Sequence, residues 1–583
     1  MHNNESNFVM LKRILGYTKN YRWMMILAFL SAILYVSATL YAPMLVGNAI
    51  DLFLDKNTFE INMILPYVFQ LIVLVLLGAF FGWLMNALLN TVTYSVVKDL
   101  RIDSFKKVLN VPVSYLDSHL SGDTLTRIIS DTDQVSEGLL QGFSQALTGI
   151  ITIIVTIVMM LIIRWEIGLV VIILTPISLF VASTISKRSF NTFKAQAAIK
   201  GEMGAFLNEM ITDQKIVIAY NQEENNINTF NEIDSRLYNV GVKAQFNSSL
   251  TNPSTRFVNA IVYASVATIG AILIVNNPTL GFGIGSLNAF LTYASQYTKP
   301  FNEISSVATE LSNSFASLRR VFELIDEKEI PNEENLDNLD IKNGSVGFNN
   351  VGFRYLEDKP LIDNFSNQVN PGDLVAIVGP TGCGKTTMIN LLMRYYDINN
   401  GDITVDGTSI YNYSRDSLRK QIGMVLQETW LFKGTVFENI AYGKEDATLE
   451  EVIDAAKKAY AHDFIMKMAN GYDTIISNDD GVSVGQKQLL CIARLMLRSP
   501  KILILDEATS NIDTRTEVMV QKAFQNMMKG RTSFVIAHRL STIRNADKIL
   551  VMNKGNIIEQ GTHEELLNQK GFYYKLYYSQ FEN

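Results

Sequence analysis

Five long stretches of the chain carry no Asp, Glu, Lys or Arg: Trp23–Ile50, Ile61–Val97, Gly138–Ile163, Ile167–Ser186 and Phe257–Thr298. About 20 consecutive, mostly apolar residues suffice for a helix to cross the hydrocarbon core of a bilayer. Each stretch reaches that length, and so much continuous apolar chain has no place in a water-soluble core. The first half of the protein is therefore expected in a membrane. After Lys299 no gap of that size recurs, and the second half reads as water-soluble. The last stretch is long enough for two helices and is broken at Asn276-Asn277-Pro278, with Gly281 and Gly283 behind it. Six spans result, near 21–50, 61–97, 138–163, 166–187, 256–275 and 280–312. The opening residues hold no short apolar core with a cleavage site, so the first span is expected to be retained and not removed as a signal peptide.

Basic residues set the orientation, because Lys and Arg gather on the cytoplasmic side of short loops. Lys12, Arg13, Lys19 and Arg22 precede the first span; Lys98, Arg101, Lys106 and Lys107 follow the second. Lys187, Arg188, Lys194 and Lys200 follow the fourth, and Arg319 and Arg320 follow the sixth. Both termini are thus expected in the cytoplasm, in a multi-pass protein of the cell membrane. The inside connections 98–137 and 187–256 are long, polar and compatible with helix. As helices going down and back, they would reach roughly 25–50 Å into the cytosol.

Composition removes several functions. A net charge of −7 argues against a general nucleic-acid binder. The two cysteines, Cys383 and Cys491, both fall in the second half and give no disulfide framework. The uncharged stretches also lack His, so no intramembrane proton relay is in place. Their polar residues are amides and hydroxyls, such as Asn48, Gln70, Asn86, Gln145, Gln296 and Tyr293. Such residues serve as interhelical glue or line a cavity for hydrophobic or amphipathic cargo.

Residues 1–325 are read as the membrane domain and the charged stretch 326–343 as a linker. Residues 344–583 change to an α/β pattern, in which Leu374–Val378 and Lys501–Leu505 are short apolar runs expected as buried parallel strands. Directly after the first run, Gly379-Pro380-Thr381-Gly382-Cys383-Gly384-Lys385-Thr386 fits G-x-x-x-x-G-K-[ST] and opens a helical run. Its glycines let backbone N–H groups converge on a phosphate, and the helix N-terminus adds a positive dipole. Lys385 is expected at the β- and γ-phosphates of ATP and the Thr386 hydroxyl at Mg²⁺. The second run delivers Asp506 towards Mg²⁺, and Glu507 follows as a general base for an attacking water.

Between these motifs stands Val482-Ser483-Val484-Gly485-Gln486-Lys487-Gln488, which resembles the LSGGQ signature of ATP-binding cassette (ABC) transporters. Other marks of that family follow in order. Tyr355 resembles the aromatic that stacks on adenine, and Gln427 the Q-loop glutamine that reaches ATP and its Mg²⁺. Ser510-Asn511-Ile512-Asp513 resembles the D-loop, and His538 the switch histidine that acts in catalysis with Glu507. Thr387 joins the nucleotide contacts by the same resemblance. Six spans fused ahead of one cassette resemble a half-transporter of the exporter type. The fold implied is an all-α six-helix transmembrane domain with long cytoplasmic helical extensions, followed by an α/β P-loop domain.

The resemblance further implies two cassettes head to tail, with Ser483, Val484, Gly485 and Gln486 facing the partner's ATP. Segments near 114–122 and 210–216 resemble the helices by which the membrane part rests on the cassettes. The signature departs from its pattern: Val484 stands at its third position and adds a β-branched side chain beside the phosphate seat. A complete phosphate loop and Asp506-Glu507 pair beside an altered signature resemble one half of a heterodimeric exporter of the multidrug type; a homodimer is the alternative. ATP-driven export of hydrophobic or amphipathic compounds is the function implied. A lipid flippase and a membrane-linked sensory ATPase remain as alternatives.

Overall fold

The computed structural model describes residues 7–55, 61–276, 282–333, 335–426, 429–477, 481–506, 513–536 and 540–581. The chain divides into two compact units. Met1–Asn110 with His119–Glu327 form the first; Val111–Ser118 with Lys328–Asn583 form the second.

The first unit is helical. Its elements are α1 (Asn7–Tyr17), α2 (Arg22–Asp55) and α3 (Ile61–Asn110), then, past α4 (Val113–Ser118) of the other unit, α5 (Ser121–Ile128) and α6 (Ser130–Thr212). There follow α7 (Gln214–Ala219), α8 (Glu223–Ser249), α9 (Thr251–Asn276) and α10 (Ile284–Ile325). Apart from a residue or two at their starts, the described parts of all six expected spans lie within these helices. The third and fourth share α6, which breaks at Arg164 (φ −159°, ψ 107°). A Cβ on Gly168 would lie 3.6 Å from Met160. Eight residues along a straight helix span about 12 Å, so the chain reverses at Arg164.

Among the described residues, four helical stretches are long and apolar enough to cross a membrane: Phe8–Leu54, Asn62–Asn110, Ser121–Ile177 and Glu223–Asn276. The third runs through the reversal at Arg164 into the fourth expected span. The start of α10 is more polar, with Ser286, Asn288, Thr292, Ser295 and Gln296, and it is held by packing. Phe290 and Tyr293 are fully buried, and the Tyr293 hydroxyl donates to the Leu40 carbonyl at 2.7 Å. Gly47 and Gly285 let α2 and α10 touch, since a Cβ on Gly285 would stand 1.9 Å from the Gly47 oxygen. Asp51 accepts from the N–H groups of Gly285 (2.7 Å) and Ser286 (3.0 Å), capping α10 from another helix. By contrast α3 turns Leu65, Phe69, Leu76 and Trp83 outward, an apolar face suited to lipid.

Helices continue beyond the uncharged stretches, as expected of the inside connections. From Ser186 to its end, α6 runs about 40 Å at 1.5 Å per residue. Near the start of α6, buried Asp131 accepts from Arg320 Nε (2.7 Å) and Ser317 Oγ (3.0 Å), tying α6 to α10.

Among the described residues the second unit has twelve strands: β1 (Val346–Phe353), β2 (Ile362–Val369), β3 (Leu374–Val378), β4 (Asn400–Val405), β5 (Thr408–Ser409) and β6 (Ile422–Val425). The rest are β7 (Gly434–Thr435), β8 (Ile475–Ile476), β9 (Ile502–Asp506), β10 (Thr532–Ile536), β11 (Lys548–Asn553) and β12 (Asn556–Gly561). An antiparallel sheet has the order β2-β1-β4-β5. The main sheet has the order β12-β11-β3-β10-β9-β6, parallel except at β12. The two apolar runs singled out in the sequence are β3 and β9, buried along nearly their whole length. They are not neighbours: β10 lies between them.

The connection between the units packs along the second. Leu339 and Ile341 are buried, and Glu333, only 13% exposed, pairs with Arg394 and Arg415. Asp406, in the β4–β5 turn, accepts from four successive backbone N–H groups, Lys342 to Ser345, at 2.8–2.9 Å.

Candidate functional site

Parallel pairing aligns the ends of four strands. Val425 of β6 faces Leu505 of β9, Leu505 faces Val535 of β10, and Val535 faces Ala376 of β3. Several of the candidate residues follow that edge in sequence by a few positions: Gly379 after β3, Asp506 at the end of β9, and positions 427, 507 and 538 after β6, β9 and β10. In a parallel α/β sheet the carboxyl edge is where ligands bind. Gln427, Glu507, His538 and the Ser510-Asn511-Ile512 segment lie outside the described residues. Asp513 is described, and it caps the helix Thr514–Met528 by accepting from the Thr516 N–H at 3.0 Å.

The phosphate loop runs from Gly379 into α11 (Lys385–Leu392). Gly384, at φ 103°, occupies the left-handed region that favours glycine and turns the loop into the helix. Gly379 has no room for a side chain, because a Cβ there would lie 2.2 Å from the Met552 oxygen. The Lys385 ammonium is held over the loop by the carbonyls of Gly379 (2.8 Å) and Pro380 (3.0 Å). Cys383 is buried beneath the loop, its carbonyl accepting from the Gly555 N–H at 2.9 Å. Thr381, Gly382 and Thr386 are exposed, so the Thr386 hydroxyl is open to a ligand. Thr387 is buried, and its hydroxyl meets that of Tyr355 at 3.1 Å.

Tyr355 is 47% exposed. Its ring stands perpendicular to those of Phe353 (4.8 Å, 86°) and Tyr396 (5.0 Å, 88°). The structure thus brings Tyr355 against the phosphate-loop helix, which suits an aromatic platform for a nucleotide base. Sequence reasoning missed Tyr396. Its only local signal was the aromatic pair Tyr395-Tyr396 after α11.

The signature opens the helix Val484–Arg498. Ser483 and Gln486 form a reciprocal cap: Gln486 N–H donates to Ser483 Oγ (3.3 Å), and Ser483 N–H to the Gln486 side chain (2.9 Å). The cap leaves the N–H groups of Val484 and Gly485 for a ligand at the helix mouth. The Val484 side chain is 52% exposed there, and Gly485 is buried.

The cradle at Gly379, the ammonium over it and the open Thr386 hydroxyl fit a nucleotide with its Mg²⁺, and Asp506 ends the strand two places along the sheet. In the first unit, a cavity of about 320 Å³ lies between α2 and α3, lined by apolar residues that include Leu45, Ile50, Phe53 and Val68.

Comparison with known proteins agrees in both halves. A family model described as ABC transporter transmembrane region matches residues 25–301, and one described as ABC transporter matches residues 362–510. The fatty acid ABC transporter ATP-binding/permease protein of Mycobacterium bovis is 41% identical over 506 residues, 86% of this chain and 79% of that one. The ATP-dependent lipid A-core flippase of Methylobacillus flagellatus is 35% identical over 578 residues, 98% of this chain and 96% of that one. A solved structure, of a bacterial Atm1-family ABC exporter with ATP bound, matches with a TM-score of 0.77 at 27% identity. It covers 96% of this chain and 98% of that chain.

Proposed function

Because the chain belongs to the ABC transporters, as an exporter half-transporter whose cassette hydrolyses ATP to drive transport, we propose that its cargo is hydrophobic or amphipathic, membrane lipids included. The observation that carries this reading is the set of spans, whose uncharged stretches offer only amides and hydroxyls to a passenger. The apolar cavity between α2 and α3 and the likeness to a fatty acid ABC transporter and a lipid A-core flippase support it.

In the cassette, Tyr355 stacks on adenine, residues 379–387 hold the phosphates, and Gln427 contacts the nucleotide. Thr386, Asp506 and Gln427 would hold Mg²⁺, whose charge offsets that of the phosphates. Glu507 takes a proton from the attacking water, and His538 assists. A half-transporter works as a dimer. The exposed Val484 at the helix mouth supports a heterodimer, in which the partner supplies the better signature to this chain's ATP. Multidrug specificity is the narrower form of the cargo reading. Both termini face the cytoplasm, as the Lys and Arg clusters beside α2, α3 and α10 support.

The test uses the assembled protein reconstituted in lipid. ATPase activity should rise with some members of a panel of lipids and hydrophobic drugs, and Glu507→Gln should bind ATP yet hydrolyse it at least about 100-fold more slowly. A panel without effect on turnover or vesicle transport would remove the cargo reading; Glu507→Gln at near the parent rate would remove the base. Cysteines introduced at Lys56 and Asn277 should escape a thiol label applied from the cytoplasmic side, and their labelling would reverse the topology.

A further inference from the structure

Helix α4 (Val113–Ser118) lies in the connection between α3 and α6, yet it groups with the second unit. There its Asp117 carboxylate accepts a hydrogen bond from the Tyr396 hydroxyl. Tyr396 arrives from the phosphate loop itself. After α11 the chain turns through Arg394 at φ 50°, and the Tyr395 N–H donates back to the Asn390 carbonyl at 2.9 Å. The turn sets the Tyr396 ring beside Phe353 (5.8 Å, 68°) and perpendicular to Tyr355 (5.0 Å, 88°). Edge-to-face rings fix one another's planes. Tyr355 is therefore held by two rings and by its hydroxyl contact with Thr387, with nearly half its surface still exposed.

We propose that Tyr396 is a positioning residue with two separable parts: its ring orients Tyr355 for the nucleotide base, and its hydroxyl on Asp117 reports to α4 whether that seat is occupied. The proposal rests on Tyr355 being the adenine platform. A ring that stacks on adenine cannot tilt freely, so a constraint on Tyr355 in the nucleotide complex passes to Tyr396 through their shared edge. From there it reaches Asp117 through one hydrogen bond. Burial, and then the bond to Asp117, push the Tyr396 phenol well above the ordinary tyrosine range. It stays protonated and remains a donor throughout the working pH range.

The experiment uses the assembled full-length protein in lipid nanodiscs. It reads the KM for ATP, kcat, and hydrogen exchange in Val113–Ser118 with and without a non-hydrolysable ATP analogue. Tyr396→Leu removes the ring and should raise KM about three- to tenfold, the scale of one lost aromatic pair. Tyr355→Leu should raise it at least as much, and the double variant should add little, as expected of residues acting in series. Tyr396→Phe keeps the ring and should hold KM within about twofold of the parent. It should nonetheless abolish the nucleotide-dependent change in exchange at Val113–Ser118, and Asp117→Ala should do the same. A loss of folding alone would lower kcat and thermal stability without this split, and rescue of KM by phenylalanine excludes it. Tyr396→Leu at the parent KM, or a full exchange response in both Tyr396→Phe and Asp117→Ala, would overturn the proposal. If Tyr355→Leu also left KM unchanged, the adenine platform itself would fall; if only Tyr396→Leu did, the platform would stand and the role of Tyr396 would not.

Discussion

Glu333 sits in a stretch of chain that reads as a solvated linker, and replacing it with alanine should weaken the cassette. Its carboxylate, 13% exposed, accepts from Arg394 Nη2 at 2.8 Å, from the Arg415 guanidinium and from the Arg415 N–H at 2.6 Å. The arginine side chains are only 5% and 10% exposed. Removing one partner of a buried pair costs about 3–5 kcal/mol, mainly because the other charge is stranded. Here the loss is partly offset. Asp397, about half exposed, still pairs with Arg415 at 2.7 Å and Arg394 at 3.5 Å, and Arg394 keeps the carbonyls of Ile410 and Tyr413. About 2–3 kcal/mol is therefore expected for Glu333→Ala. Glu333→Gln keeps an acceptor and loses the charge, so about half of that is expected. Hydrogen exchange in the full chain reads the effect locally: amides of Arg415–Gln421 should exchange roughly 30- to 150-fold faster in the alanine variant. In thermal unfolding the cassette transition should fall by about 4–12 °C. A change below about 0.5 kcal/mol, or equal losses in the alanine and glutamine variants, would refute the view that charge compensation holds this segment.

Two further predictions follow from single contacts. Val484 is exposed at the first turn of its helix, and the Ser483–Gln486 cap does not use its side chain, so Val484→Gly should cost less than about 1 kcal/mol in stability. In a heterodimer its ATPase rate should change less than about twofold, whereas a homodimer would gain about fivefold, on the scale of 1 kcal/mol in barrier; vigorous turnover by the purified single chain, raised further by this variant, would refute the heterodimer. At Asp406, burial opposes ionisation, but the four backbone N–H bonds outweigh it and hold the carboxyl below its usual range. Its contribution is thus fully present above about pH 4, the unfolded value, and is lost as pH falls through the lower folded one. Asp406→Asn should cost about 2–3 kcal/mol at pH 7, and its deficit against the parent in thermal unfolding should narrow between pH 5 and pH 3; a constant gap would show that the charge is not what binds residues 342–345.

What the sequence determined by itself was whatever a short window of chain decides. A run of about 20 residues without charge carries its own transfer energy into lipid, so the membrane half and the break between the third and fourth spans were legible. The phosphate loop was legible because its chemistry lies within eight consecutive residues, between a strand and a helix that their own patterns announce. The sixth span was legible in the same way, from the uncharged end of Phe257–Thr298, but what holds its polar start, Tyr293 on Leu40 and Asp51 over its first turn, was not. Only the tertiary structure decided that β10 separates the two motif strands, that Glu333 meets Arg394 and Arg415, and that Tyr396 stands between Tyr355 and Asp117. These partners are far apart in the chain, and no local preference of either residue specifies the other. Strand order, the reversal after α11 and the packing of the connecting segment bring them together, and those are settled by burial of the whole cassette core rather than by any stretch of it.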